Sequence, residues 1–294
     1  MKSNLHVVVI DPQNDFCDLP ESWLPVDPLK LEAGDNDPVK RPQLAVPGAH
    51  ADMLRVSEAI RKGSKGISDI SITLDSHHFV AIERPTFWMK KDGSAVDPFT
   101  VVTAQLVKQG EFMPRSQAAL PRVVSYLEAL ETAGKTHMIW PVHCEIGTWG
   151  HNVHDSLRAA YNEWEKREFG VVQKVTKGSN PWTEHFSPLM AEVPDPNDPS
   201  TQLNTGFIQD LMRADKTFLM GEAGSHCLRS GVLHLVDNWG TQSLDKLVLV
   251  KDGMSPVSGF EAQQDAFLVD MQKLGLQVCT CDDMAAELVA NGKR

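Results

Sequence analysis

Apolar and polar positions along the chain follow two different spacings. Nearly continuous apolar runs such as LHVVVI (5–10) are typical of buried strands, whereas LPRVVSYLEALETAG (120–134) repeats apolar residues at the spacing of one helical face. The strand-like runs cover residues 5–10, 66–75, 137–143, 171–178, 216–223 and 246–254, with a short run at 276–280. The helix-like segments cover residues 47–63, 120–134, 205–215, 225–239 and 259–275, with a loop and helix at 147–170 and a C-terminal helix. This alternation predicts an α/β fold: a doubly wound, mostly parallel six-stranded sheet with helices on both faces.

Two segments interrupt the alternation. Residues 19–44 and 79–118 are rich in proline, glycine and charge, with scattered aromatic side chains. Long irregular stretches in a compact domain are usually functional loops or insertions. We therefore predict a single domain over residues 1–294 that carries insertions at about 19–44 and 79–118.

Charge and composition narrow the class of partner. The net charge of −11 argues against nucleic acid or an anionic membrane, because both select basic surfaces. No stretch approaches the roughly 20 apolar residues that span a bilayer, and the N-terminus shows no cleavable signal pattern. The five cysteines are an odd number without metal-type spacing, so reduced thiols are expected. We predict a cytoplasmic protein with a small-molecule ligand.

Chemically reactive side chains follow the ends of the predicted strands. They are Asp11, Asp75 with His77, His143, Lys177 and Cys227. Ligands of open parallel sheets bind beyond the carboxyl ends of the strands, so these side chains are expected to meet at one edge.

Cys227 is the candidate nucleophile. On residue type alone a buried structural cysteine is the commoner case, but a thiol in the first helical turn feels the helix dipole, which we expect to lower its pKa. Asp11 would exchange protons with substrate and Lys177 would hold the anions; Lys174 is the competing lysine. The small residues before Cys227, at 223 and 224, would let backbone N–H groups form an oxyanion hole.

Asp75, His77 and His143 form a second group. Residues two apart in an extended chain point the same way, so Asp75 and His77 share a side while His78 points away. Two imidazoles and a carboxylate suit a divalent metal ion, Zn²⁺ first, with Fe²⁺ and Mn²⁺ as alternatives. Histidines satisfied within the core remain the other interpretation.

Five stretches in order, VVVIDPQNDFC, TLDSHH, WPVHCEIGTWG, KGSNPWTEHFS and GEAGSHCLRSGV, resemble nicotinamidases among the isochorismatase-like cysteine hydrolases. The resemblance implies a catalytic triad of Asp11, Lys177 and Cys227. It also implies metal ligands at Asp75, His77 and His143, and aromatic residues Phe16 and Trp140 on either side of a substrate ring. Oxyanion donors would be the N–H groups of Ala223 and Cys227, next to a cis peptide between Glu222 and Ala223. A homo-oligomer is also implied.

The implied reaction is hydrolysis of a carboxamide, such as nicotinamide, to the acid and ammonia through a thioester. The chain departs from the family pattern at Glu222, at Ser225 and after His77, where HFVAIERPTFW replaces a segment that carries another histidine. Relatives that hydrolyse ureido or N-carbamoyl compounds, or cleave isochorismate, are the alternative, and a non-catalytic relative is a further one. A dinucleotide-binding oxidoreductase is set aside, because DPQNDF after the first strand lacks the required glycines.

Overall fold

A six-stranded parallel sheet runs through the centre of the computed structural model, which describes residues 1–294. The strands of the structure are β1 (Leu5–Ile10), β2 (Asp69–Asp75), β3 (Trp88–Lys90), β4 (Val101–Val102), β5 (Phe112–Pro114), β6 (His137–Met138), β7 (Gln173–Lys177), β8 (Lys216–Gly221), β9 (Leu247–Val250) and β10 (Gln277–Cys279). The α-helices are α1 (Pro28–Glu32), α2 (Ala49–Gly63), α3 (Ala104–Lys108), α4 (Leu120–Thr132), α5 (Asp155–Glu168), α6 (Thr205–Met212), α7 (Cys227–Asp237), α8 (Glu261–Leu274) and α9 (Cys281–Asn291). No helix combines the length and the apolar character that crossing a membrane requires.

The order of strands in the main sheet is β10-β9-β8-β1-β2-β7, and every neighbouring pair is parallel. The chain builds one side of β1 with β2 and β7, then crosses to the other side for β8, β9 and β10. The direction of winding therefore changes next to β1, and ligand sites of such sheets lie at that point. The predicted fold class is confirmed, and the main sheet is parallel throughout.

Alternate residues of β1 face two separate cores. Val7 and Val9 belong to a core shared with α2, α5 and α9, whereas Val8 and Ile10 belong to one shared with α6, α7 and α8. All four side chains are buried, which explains why the strand reads as a continuous apolar run rather than an alternating one. Helices therefore cover both faces, as expected.

Segment 79–118 contributes to a third core. Its short antiparallel pair β3–β5 and helix α3 pack with α4, and thirteen buried residues, among them Trp88 and Leu127, fill the space between them. The amphipathic face of α4 thus covers this third core rather than the main sheet. The segment carries a hydrophobic interior of its own, although its sequence shows little periodicity.

The strand predicted at 137–143 is wrong for most of its length. Only His137–Met138 is a strand, and it pairs antiparallel with β4 outside the main sheet. Pro141 has no N–H to donate to a sheet ladder, and the Trp140 N–H donates to the Glu83 carbonyl (2.8 Å) in the third core instead. The continuous apolar run HMIW reflects burial between loops, which periodicity alone cannot distinguish from a sheet strand.

Candidate active site

Asp11, Lys177 and Cys227 meet beyond the carboxyl edge of the main sheet. Asp11 directly follows β1, Lys177 ends β7, and Cys227 begins α7 after β8. The Lys177 Nζ lies 2.9 Å from the Asp11 Oδ2 and 3.7 Å from the Cys227 Sγ. All three side chains are buried. Lys174, the competing lysine, is exposed.

Asp11 is held in one orientation from β2. Its backbone φ is 42°, in a region that residues other than glycine rarely adopt. The Thr73 hydroxyl accepts a hydrogen bond from the Asp11 N–H (3.0 Å) and donates one to the Asp11 Oδ1 (2.5 Å). The second carboxylate oxygen is left facing Lys177 and the thiol.

Burial is the largest single influence on the pKa values of Cys227, Asp11 and Lys177. It raises the pKa of the Cys227 thiol well above the usual value, because Lys177 only partly offsets the loss of solvent and the negative charge of Asp11 adds to the rise. The pKa lowering expected from the helix terminus is thus wrong for the resting site. Burial also raises the pKa of Asp11, against the attraction of Lys177. Burial disfavours the Lys177 ammonium, but Asp11 and Asp75 raise the pKa of that lysine well above its usual value.

Two backbone N–H groups near the thiol in the sequence, those of Ala223 and Cys227, have no hydrogen-bond partner. The peptide between Glu222 and Ala223 is cis, as the sequence resemblance implies. Unpaired N–H groups at the start of a helix are ready donors to an anion, so this loop can hold a developing oxyanion.

Asp75, His77 and His143 form a buried group that could hold a metal ion. One ligand atom from each lies within 4.8 Å of the others. The Asp75 Oδ2 is 2.7 Å from the His77 Nε2 and 3.2 Å from the His143 Nε2. The other carboxylate oxygen of Asp75 accepts a hydrogen bond from the Lys177 Nζ at 2.6 Å, which joins this group to the thiol. His78 is exposed and takes no part.

The surroundings of Asp75, His77 and His143 suit a divalent cation. Behind the ring of His77, the Glu83 Oε1 lies 3.0 Å from the Nδ1, the arrangement that aims Nε2 of a ligating histidine at a metal. The buried carboxyl groups of Asp11, Asp75 and Glu83 outnumber the two buried cations, Lys177 and Arg84. The donor set of two imidazoles and one carboxylate fits zinc, iron or manganese.

Several buried charged groups around the metal ligands were not predicted from the sequence. Arg84 is fully buried, with its Nη1 2.6 Å from the His143 Nδ1 and 2.7 Å from the Pro141 carbonyl oxygen. Glu184 is also buried; burial, followed by the charge of Glu83, raises the pKa of Glu184 to about 8. The carbonyl of His185 accepts a hydrogen bond from the Lys177 Nζ (3.1 Å). Their charge within Pro-flanked loops, ERP and NPWTEH, is the only available signal in the sequence.

The two aromatic residues predicted to contact substrate, Phe16 and Trp140, line the cavity above these groups. The cavity measures about 30 Å³, and Asp75, His143, Lys177 and Cys227 line it together with the two aromatic rings. The Phe16 ring lies 5.2 Å from that of His143, centroid to centroid. A flat group entering this cavity would therefore contact the two aromatic rings, the Cys227 thiol and the metal ligands Asp75 and His143.

Comparisons with solved structures identify the fold. The chain is similar to the Acinetobacter baumanii nicotinamidase/pyrazinamidase, with a TM-score of 0.59, 17% identity, and coverage of 96% of this chain and 98% of that one. It is also similar to the yeast nicotinamidase bound to the inhibitor nicotinaldehyde, with a TM-score of 0.59, 15% identity, and coverage of 94% and 99%. The Pyrococcus horikoshii pyrazinamidase in complex with zinc matches with a TM-score of 0.50, 15% identity, and coverage of 94% and 99%.

Sequence comparison adds nothing to this result. No protein-family model matches the chain, and no curated protein matches it. The resemblance drawn from the motifs is confirmed at the level of the fold, which the chain shares with solved nicotinamidases over nearly its whole length.

Proposed function

We propose that this protein is a metal-assisted cysteine amidohydrolase that converts a small carboxamide into the corresponding acid and ammonia. The observation that carries the proposal is the position of the Lys177 Nζ, 2.9 Å from the Asp11 carboxylate and 3.7 Å from the Cys227 sulfur. An acid, an amine and a thiol in one buried cluster, next to two unpaired N–H groups, are the parts that acyl transfer through cysteine requires.

The first half of the reaction forms a thioester. Asp11, which shares the Lys177 ammonium with the Cys227 sulfur, takes the thiol proton as the sulfur attacks the amide carbon. The N–H groups of Ala223 and Cys227 hold the oxyanion. Asp11 then delivers the proton to the departing nitrogen, the C–N bond breaks, and ammonia leaves. Lys177 stabilises the carboxylate and the thiolate while each carries charge.

The second half releases the acid. Asp11 takes a proton from a water molecule, which attacks the thioester carbon at the same oxyanion position. The C–S bond breaks, and Asp11 returns the proton to the sulfur. A neutral resting thiol is compatible with this cycle, because Asp11, the base that deprotonates it, lies in the same buried cluster around the Lys177 Nζ.

Asp75, His77 and His143 would hold the metal ion of the proposed enzyme. Zinc is the leading candidate, because the Pyrococcus pyrazinamidase that shares this fold was solved with zinc, and the donor set equally admits iron or manganese. The ion would supply a Lewis acid for a lone pair of the substrate. Glu83 would fix the ring of His77, and the Pro141 carbonyl oxygen, 2.8 Å from the His143 Nδ1, would fix that of His143 by accepting its ring N–H.

Nicotinamide is the first substrate to test. Phe16 and Trp140 lie where they could hold an aromatic ring, and the yeast and Acinetobacter structures that share this fold are nicotinamidases. Nicotinamide would place its pyridine nitrogen toward the three metal ligands and its carboxamide toward Cys227. Ureido and N-carbamoyl compounds belong in the same test, because they present the same C–N bond to the thiol.

The deciding experiment measures ammonia and acid together. Purified protein loaded with Zn²⁺ is incubated with nicotinamide, pyrazinamide and N-carbamoyl compounds, and both products are quantified. We expect equal amounts of ammonia and the matching acid from a carboxamide, and none from heat-inactivated protein. Release of ammonia from no amide or carbamoyl compound would contradict the proposal.

A further inference from the structure

A second and larger cavity adjoins the one that holds the thiol. We call the cavity containing Cys227 the inner cavity; the outer cavity measures about 540 Å³. The two cavities adjoin along four side chains that line both, Trp140, Phe186, His226 and Glu184. The ring centroids of Trp140 and Phe186 lie 5.3 Å and 5.7 Å from that of His226.

The two volumes suit different parts of one ligand. The inner cavity, at about 30 Å³, is much the smaller of the two, so a long substrate would fit only its reacting end there. The outer cavity falls within the range of small-molecule sites, about 300–1,000 Å³. A substrate too long for the inner cavity would therefore extend into the outer cavity when its amide reaches Cys227.

Among the charged groups that line the outer cavity, one cation has no ion-pair partner, and burial raises the pKa of the remaining carboxyl group, Glu184, to about 8. Lys135 forms an ion pair with Glu192 at 2.5 Å, and the pair cancels. Burial, followed by the charge of Arg229, lowers the pKa of His226 to about 4, so that ring is neutral. Arg229 is half-buried and forms neither an ion pair nor a hydrogen bond with another residue.

Arg229 also lies on the appropriate face of α7. His226, Arg229, Ser230 and Leu233 follow one helical face, and all four line the outer cavity. Cys227 lines only the inner one. Ser225, Ser230 and Gln263 add uncharged hydrogen-bonding groups to the same lining. The helix thus presents the thiol to one cavity and a free guanidinium to its neighbour.

We propose that the outer cavity binds a carboxylate-bearing part of the substrate, with Arg229 as its counter-charge, so that the preferred substrates are carboxamides with an acidic group several bonds from the amide. The proposal rests on the proposed amidohydrolase function and adds the substrate class. An arginine fork suits a carboxylate, to which it donates two parallel hydrogen bonds.

The kinetic test compares two substrates of the same size and different charge. Glutaramate carries a terminal amide and a carboxylate, and glutaramide is its neutral isostere with two amides. We expect the wild-type protein to favour glutaramate by about tenfold in kcat/KM per amide, the effect of one hydrogen bond to a charged group. Arg229→Gln should abolish this preference mainly through KM, and Arg229→Lys should retain part of it. Because both substrates are measured with the same variant, the ratio of their kcat/KM values does not depend on how much of the protein is correctly folded.

A matched control removes a different arginine. Arg213 is exposed on α6's C-terminal side and pairs with Asp210 at 2.8 Å, outside both cavities. Arg213→Gln should keep the wild-type preference. An unchanged ratio in Arg229→Gln, or a wild-type preference for glutaramide, would overturn the proposal in favour of a neutral substrate that uses only the inner cavity.

A binding measurement separates this proposal from the proposed function. Glutaramate is titrated calorimetrically into Cys227→Ala protein, with and without Arg229→Gln. We expect Arg229→Gln to weaken binding about tenfold. If glutaramate binds through Arg229 but the wild type hydrolyses no amide, the subsite stands and the amidohydrolase assignment fails. If amides are hydrolysed while Arg229→Gln changes neither binding nor the ratio, the assignment stands and the subsite fails.

Discussion

The thiol half of the site, Asp11, Lys177 and Cys227, and the metal half, Asp75, His77 and His143, reach one cavity from differently built parts of the protein. Every member of the thiol half adjoins a strand of the main sheet. In the metal half only Asp75 ends a sheet strand, and His143 lies in a loop fixed by the buried Arg84. The main sheet thus fixes the positions of the reacting groups, whereas the third core and its loops fix the positions of most of the metal ligands. The two halves should therefore respond differently to substitution.

The largest effect is expected in the thiol half. Asp11→Asn removes the group that moves every proton in the proposed cycle, so kcat should fall on the order of 10⁴-fold. Metal content should remain near that of the wild type, because Asp11 is not one of the three ligands. Assays of ammonia release and elemental analysis of the same preparation check both. Asp69→Asn, at the opposite end of β2, serves as the control, and an Asp11→Asn variant with a tenth of normal activity would contradict the account.

Substitution in the metal half should produce the reverse pattern. His143→Ala removes one of three ligands, so we expect the metal to be lost on dialysis while the reactivity of Cys227 toward iodoacetamide changes little. Activity should fall about 10²-fold, less than in Asp11→Asn, if the ion orients substrate rather than carrying the acyl transfer. His78→Ala, next to His77 but exposed, should behave as wild type. Full metal retention in His143→Ala would remove His143 from the ligand set.

A smaller effect is expected one layer behind the metal ligands. Glu83→Gln removes the charge that faces the Nδ1 of His77 at 3.0 Å. Loss of such a partner typically weakens metal binding about 10–100-fold. Competition with a chromogenic zinc chelator measures it. Glu111→Gln, in the same segment but on a surface ion pair with Lys91, is the matched control and should leave affinity unchanged.

The smallest effect concerns a carboxyl group behind the oxyanion loop. Burial, followed by the charge of Asp52, raises the pKa of Glu222 well above its usual value. Its folded-state pKa is therefore above the unfolded value of about 4.3, so its contribution to stability is complete below that value and is lost as pH rises through the folded pKa.

Glutamine at position 222 does not titrate, which gives this pH effect a direct test. The melting temperature of Glu222→Gln relative to wild type should rise between pH 5 and pH 8, by an amount equivalent to about 1 kcal/mol or more. Glu163→Gln, on the surface of α5, supplies the control. A difference that stays constant across this range would contradict the raised pKa.

The same contrast explains what could be predicted from the sequence. Asp11, Lys177 and Cys227 follow apolar runs, and the ends of parallel strands share one edge, so their meeting follows from the pattern of the chain. His143 lies beside Asp75, as predicted, but the reason given for the prediction was wrong, because no strand of the main sheet ends at His143. Glu83 and Arg84 could not be predicted, because their burial depends on how an aperiodic segment packs against α4.

The protonation of Cys227 was the other error. A position at the start of a helix predicted a lowered pKa, but the sequence does not reveal how completely the sulfur is buried. Burial outweighs the attraction of the nearby lysine. The raised pKa depends on the packing around the sulfur atom alone, and the hydrophobic pattern of the sequence carries no information about that packing.

The account is tested most directly by the rate of ammonia release from Cys227→Ala compared with Cys279→Ala, a partly buried cysteine at the far edge of the sheet. With the best amide substrate and saturating zinc, Cys279→Ala should match the wild type, while Cys227→Ala should lose activity on the order of 10⁴-fold or more although it still binds metal. Turnover by folded Cys227→Ala at a rate close to that of the wild type would show that the thiol is not the nucleophile.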